Sequence, residues 1–289
     1  MIEKIEPLGT GTGKIVYSTN NCEDILHFSK AEILDLFKLS GVILFRGFGV
    51  TPIQMKAFSE KFSHSYLKDP TKGSLDSVDF VNSVDTGMGA SAAHTEHGSS
   101  PYQPDVIWFC CTTPAQEGGE TLFWDGIQLW KEMSKHTKQL FIDKKLKFTF
   151  EDVPLDVLNQ WVDCGETIDD CKQVLDRFED FNYQINEDSS FSLKYLCSAV
   201  VKTKYGNQDA FANFAWTAHA RGWEIFEDGS KFSEEVVDEL EKLFDKLTQE
   251  ISWQAGDLAM IDNSRFMHGR REFKDNRRQL FTTIAKIFD

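Results

Sequence analysis

Ala93-His94-Thr95-Glu96-His97 and, far along the chain, Asp262-Asn263-Ser264-Arg265-Phe266-Met267-His268-Gly269-Arg270 are the two stretches on which the reading of this sequence turns. In a β-strand alternate side chains share a face, so His94 and Glu96 project together while His97 turns away. Their imidazole and carboxylate then converge on one ion. The third ligand has to come from elsewhere, and His268, between Gly256-Asp257 and an Arg-rich turn, is the best candidate. Two histidines and one carboxylate leave half of an octahedron open, a donor set suited to non-haem Fe(II) and O2. A structural zinc site would close its sphere, usually with thiolates. A His-x-Glu alone is a weak signal, equally at home on a solvated strand face. Ligands so far apart in sequence call for the long-range closure of a jelly roll.

Working outward, Arg278 follows His268 by ten positions. If 265–273 and 279–288 pair as a hairpin, Arg278 lies at the mouth of the same barrel, where a guanidinium clamps a dicarboxylic acid bidentately. Arg277 and Arg278 read equally well as two surface charges at a turn. Strand patterns occupy 78–84, 105–112, 144–151, 191–201, 252–262, 265–273 and 279–288. Ser29-Lys30-Ala31-Glu32 reads as a capping box opening a helix that stops at Gly41, and Thr51-Pro52 opens a second. After Ser233 an amphipathic stripe runs through Val236, Val237, Leu240, Leu243, Phe244 and Leu247. The expected fold is α+β with a mainly β core: a double-stranded β-helix (jelly roll) with flanking helices and a helical insertion. No repeat or linker divides it, so residues 1–289 read as one domain. The acidic stretch 151–190 is expected to be helix and loop, with a lid as its functional reading. An acidic lid favours a cationic or amine-bearing substrate.

The 289 residues carry a formal charge of −15, which argues against nucleic acid and anionic membrane surfaces as partners. Any anion site must therefore be local. Hydrophobic residues at 41%, with 24 Phe, suffice for a large aromatic core. The N-terminus lacks a signal-peptide layout and no apolar run spans a bilayer, so a cytoplasmic location is expected. The cysteines at 22, 110, 111, 164, 171 and 197 show no framework and read as reduced thiols. Adjacent Cys110 and Cys111 are expected on opposite faces of one strand.

Taken in order, the segments Gly41-Val42-Ile43-Leu44-Phe45-Arg46-Gly47-Phe48, His94-Thr95-Glu96, Gly118-Gly119-Glu120-Thr121, Asp125-Gly126, Gly256-Asp257-Leu258, Asp262-Asn263, His268-Gly269-Arg270 and Arg277-Arg278 resemble the taurine dioxygenase-like (TauD/TfdA) family of Fe(II)/2-oxoglutarate oxygenases, including its clavaminate-synthase-like branch. The resemblance implies that His94, Glu96 and His268 bind Fe(II), with 2-oxoglutarate and O2 as co-substrates. It further implies that Thr121 donates to the distal carboxylate of 2-oxoglutarate while Arg278 pairs with it. Thr282 stands where some relatives place another Arg, which weakens the case for a sulfonate substrate. Relatives that chlorinate lack the metal carboxylate, so Glu96 speaks against halogenation. His219 and Arg221 fall where relatives line the substrate pocket, and Asn82 is a candidate to bond a substrate amine or amide. The implied activity is hydroxylation of an unactivated C–H of a small molecule, an amino acid or a carrier-protein-tethered derivative, in a biosynthetic pathway. Desaturation, cyclisation and epoxidation use the same centre. A non-catalytic metal-binding jelly roll and a zinc hydrolase are the readings from other classes.

Overall fold

Val42–Arg46 and Val106–Thr113 hold too many consecutive apolar residues for strands with a wet face. In the computed structural model, which describes residues 4–19, 24–69, 72–75, 77–84 and 87–288, both are covered on two sides. Val106, Trp108 and Cys110 pack outward against Phe37, Met55 and Phe58 of the amino-terminal helices. Ile107, Phe109 and Cys111 face inward with Leu44, Phe123, Ile261 and Phe266. The adjacent cysteines do occupy opposite faces.

The larger sheet runs Ile5–Pro7, Lys14–Tyr17, Val42–Arg46, Leu258–Asp262, Val106–Thr113, Gln279–Ile287, Ser63–Leu67, with Asn82–Ser83 also on Gln279–Ile287. Facing it is a smaller sheet ordered Gln249–Ile251, Thr121–Asp125, Phe266–Arg270, Ser91–His94. The inward side chains form one apolar layer, the core of a jelly roll. Phe266–Arg270 and Gln279–Ile287 do not form the expected hairpin. The chain crosses from the smaller sheet to the larger between them, so Arg278 reaches the barrel mouth from the facing sheet. The expected strand 78–84 shrinks to Asn82–Ser83, because Phe80 adopts a left-handed φ of 60° that no strand tolerates.

The first helix, Lys30–Ser40, ends at Gly41 with φ 69° as a left-handed cap. Ser29 makes no side-chain cap bond, so the capping box expected there is absent. One forms instead at Thr51 with Gln54, opening Pro52–Glu60. Glu234–Leu247, capped by Ser233, lays Val236, Leu240 and Phe244 on the outer face of the smaller sheet beside Trp124 and Met267.

The insertion is more structured than its charge suggested. Phe181–Ile185, Phe191–Cys197 and Leu146–Val153 form a three-stranded sheet, with helices Leu155–Val162 and Ile168–Leu175 packed around Leu158, Val162, Leu175 and Phe191. Acidic residues hid the alternation of Phe181-Asn182-Tyr183-Gln184-Ile185. Cys164 and Cys171 are bonded here, which corrects the expectation of thiols throughout; Cys110, Cys111 and Cys197 are free, and Cys22 lies outside the described residues. Among the described residues no helix is long and apolar enough to cross a membrane.

Candidate metal centre

Strand pairing brings the two distant histidines together. His268 is the direct cross-strand partner of His94, and their ring centroids are 4.3 Å apart. Nδ1 of His94 lies 2.8 Å from the Ala92 carbonyl; a carbonyl only accepts, so Nδ1 carries the proton and Nε2 presents its lone pair. Burial, with His268 alongside, pushes the His94 imidazolium down to about 3, leaving a neutral ring. Nδ1 of His268 is buried without a partner, and its Nε2 lies 3.4 Å from Oε2 of Glu96.

Glu96 arrives by a different route from the one expected. The strand stops at His94, and a turn carries the carboxylate the rest of the way. Asn263 clamps that turn: its Oδ1 accepts from Glu96 N at 2.8 Å, and its Nδ2 donates to the carbonyls of Glu96 and Pro104 at 3.0 Å each. Asp257, by contrast, takes Arg46 through a 2.7 Å ion pair and accepts from Gln254 N. Because alternation ends at His94, His97 does not turn away; it adopts φ 55° and lines the same cavity. Burial works against a charged Glu96, yet Lys72 and the histidines hold its carboxyl well below the ordinary carboxylate range.

Ligand atoms of His94, Glu96 and His268 all lie within 4.8 Å of one another. Two imidazoles and one carboxylate, with no thiolate, form a donor set that fits Fe(II). Asp69, Glu96 and His97 form a second such group, but the Lys72 ammonium already bridges Asp69 and Glu96. Among the described residues that leaves one candidate site for one ion.

His94, Glu96 and His268 face a cavity of about 450 Å³ that Thr121, Arg270 and Arg278 also line. Arg278 donates to the Gly119 carbonyl at 3.2 Å, lies over Phe273, and forms no ion pair with a described residue. Burial, with Arg270 beside it, brings its guanidinium down to about 10. A half-buried cation next to a second one is a receptor for an anion. Gly119 must stay bare for this, since at φ 74° a Cβ would stand 3.0 Å from Arg278 Nε. Thr121 Oγ1 accepts from Trp253 Nε1 at 3.0 Å, which leaves its own proton free to donate into the cavity. Arg277 is exposed and spent on Asp275 at 2.9 Å.

The remaining candidates separate. Arg221 lines the cavity, stacked 5.4 Å over Phe214 and 5.2 Å over Trp223. His219 sits on Ala215–Ala220 against Trp216 and Phe232, and Asn82 is engaged along Gln279–Ile287; neither lines the cavity. From the insertion come Phe150, Val153, Val157 and Trp161, all apolar. The acids Glu151, Asp152 and Asp156 point to solvent, so the insertion's charge gives no reason to expect a cationic substrate. Sequence reasoning missed Asp69 and Lys72, which sit in a polar loop without periodicity, and the wall aromatics, which are scattered along the chain.

Residues 4–284 match the family model "Taurine catabolism dioxygenase TauD, TfdA family". The chain is 21% identical over 316 residues to the dapdiamide synthesis protein DdaC of Enterobacter agglomerans, covering 98% of this chain and 95% of that one. A crystal structure of a taurine dioxygenase from Burkholderia xenovorans superposes with a TM-score of 0.62 at 16% identity, over 99% of this chain and 89% of that one. AAD-2 in complex with Mn(II) and N-oxalylglycine superposes with a TM-score of 0.61 at 16% identity, over 99% and 98%. With the family matched over nearly its whole length and a two-histidine, one-carboxylate centre at the barrel mouth, the chain belongs to the TauD/TfdA family of dioxygenases, enzymes that use Fe(II), 2-oxoglutarate and O2.

Proposed function

We propose that this dioxygenase hydroxylates an unactivated C–H of a small molecule in a biosynthetic pathway, with His94, Glu96 and His268 holding Fe(II) and Arg278 and Thr121 holding the far carboxylate of 2-oxoglutarate. The observation that carries this reading is that all five line one cavity. Bound Fe(II) with 2-oxoglutarate supplies the oxidation: O2 is consumed, the keto acid becomes succinate and CO2, and a substrate C–H is oxidised. The chain's own residues position and exclude. Arg278 and Thr121 fix one end of the co-substrate, so its keto acid end is presented to the metal without a search. His94, held as a neutral ring, and His268 would supply two nitrogen donors to the ion beside the Glu96 carboxylate. Phe109, Phe214 and Trp161 keep water from the reacting carbon.

Arg221 anchors the substrate in this reading, and the insertion at about 151–190 acts as a lid whose apolar residues cover it. An amino acid or a carrier-tethered derivative fits that combination. The likeness to DdaC, a dapdiamide synthesis protein, favours a biosynthetic setting. A cytoplasmic site of action suits the free thiols Cys110, Cys111 and Cys197, with the buried Cys164–Cys171 bond shielded from reductants. The test is a panel of amino acids and acyl derivatives, reading succinate release and product mass. A gain of one oxygen supports hydroxylation. A loss of two hydrogens, or an oxygen gained at a double bond, replaces it with desaturation, cyclisation or epoxidation.

A further inference from the structure

Glu96 divides its carboxylate between two neighbours. Oε2 faces Nε2 of His268 at 3.4 Å, on the side where the ligand atoms converge. Oε1 accepts a 2.9 Å hydrogen bond from Lys72 Nζ, and Lys72 is gripped in turn by Asp69 Oδ2 at 2.8 Å. These side chains are nearly dry: Lys72 is 14% exposed, Glu96 9% and Asp69 4%. Lys72 comes from the loop between Ser63–Leu67 and Asn82–Ser83, outside the strands that supply the ligands.

A carboxylate binds a cation through one oxygen or through both. Were Glu96 to bind through both, it would take a position that a chelating keto acid and O2 need. An ammonium on Oε1 opposes this. Swinging Oε1 to the metal breaks a charge-assisted hydrogen bond in a dry site, and it leaves Lys72 facing a dication. We propose that Lys72, held by Asp69, is a positioning residue that keeps Glu96 bound through one oxygen and so preserves an open coordination position for 2-oxoglutarate. The proposal rests on the iron-site reading above.

Mn(II) replaces iron as the probe, added to the full-length protein, and its bound waters are counted from EPR line broadening in H2(17)O. Lys72→Met is expected to hold one water fewer than wild type, and to bind 2-oxoglutarate at least about tenfold more weakly, the scale on which loss of a ligand's hydrogen-bonding partner acts. Lys72→Arg, which keeps a donor and the charge, restores both. Asp69→Asn, which loosens Lys72 without removing it, gives a smaller shift in 2-oxoglutarate affinity and serves if Lys72→Met does not fold. An unchanged water count in Lys72→Met, even with lowered thermal stability, makes Lys72 merely structural and overturns the proposal. Failure of wild type to take up Mn(II) would instead overturn the iron reading beneath it.

Discussion

The two sides of the cavity are built on opposite principles. On the barrel side four of the five site residues are held by the backbone or by another polar group: His94 by Ala92, Glu96 by Asn263 and Lys72, Arg278 by Gly119, Thr121 by Trp253. On the insertion side Phe150, Val153, Val157 and Trp161 present apolar surface backed by a separate apolar cluster. The first arrangement suits chemistry that tolerates little displacement, since an error of an ångström at the reacting atoms is costly. The second suits a surface that can be re-shaped without disturbing the metal, because packed apolar residues of similar volume exchange at modest cost. The difference teaches where in this molecule a change should stop the reaction and where it should only alter what is oxidised.

The sharpest way to break the contrast is on the barrel side. His268→Ala is expected to abolish iron uptake and to lower turnover by roughly three orders of magnitude or more, about 4 kcal/mol of transition-state stabilisation; iron stoichiometry and succinate release check it. Arg278→Ala should leave iron binding intact and raise the KM for 2-oxoglutarate about tenfold to a hundredfold, the range for losing a charged hydrogen-bonded partner. Arg277→Ala should do nothing to that KM, because its partner is Asp275. Asn263→Ala removes three hydrogen bonds from a buried turn, and thermal melts should show a loss of about 2–4 kcal/mol. On the other side, Trp161→Ala should change the KM of the hydroxylated substrate and the product pattern by about 1–2 kcal/mol of lost apolar contact, with iron and 2-oxoglutarate binding unmoved. If Trp161→Ala weakens 2-oxoglutarate binding as much as Arg278→Ala does, the two sides are not independent.

The smallest expected effect concerns Asp262, at the end of the strand that leads into the His268 turn. Burial raises its carboxyl to about 6, against hydrogen bonds from Ser264 that lower it. In the folded state it is protonated below about 6; in the unfolded chain it stays ionised down to about 4. Folding therefore takes up a proton between those values, so this group costs stability above pH 6 and the cost fades as pH falls from 6 to 4. Asp262→Asn keeps an acceptor for Ser264 and sheds the buried charge. Its melting temperature relative to wild type should rise from pH 5 to pH 7.5, by a margin worth about 1 kcal/mol.

Much of the barrel side was legible because its chemistry needs rare residue types at fixed places. His94, Glu96, His268 and Arg278 stand out as letters whatever the exact strand boundaries, and they share one cavity even though the supposed hairpin is a crossing between sheets. The flaws lie in local geometry. Strand alternation was extended two residues too far, so His97 was turned away from a cavity that it lines. Lys72 and Asp69 could not be found, because an ion pair with Glu96 across 24 positions leaves no periodic trace. The insertion is less legible for a different reason. Its surface acids dominate the composition, while the apolar residues that form its sheet and wall are interleaved singly among them. His219 and Asn82 are candidates by position along the chain, which does not say which side of a helix or strand meets the cavity.

The most direct measurement is anaerobic titration of the purified chain with Fe(II) and 2-oxoglutarate, followed in the visible region. One iron per chain and a weak charge-transfer band that saturates with 2-oxoglutarate are expected, with the band absent in His94→Ala and His268→Ala and displaced to higher 2-oxoglutarate in Arg278→Ala. A wild-type chain that takes up no iron, or a band that persists unchanged without either histidine, would contradict the assignment of the centre.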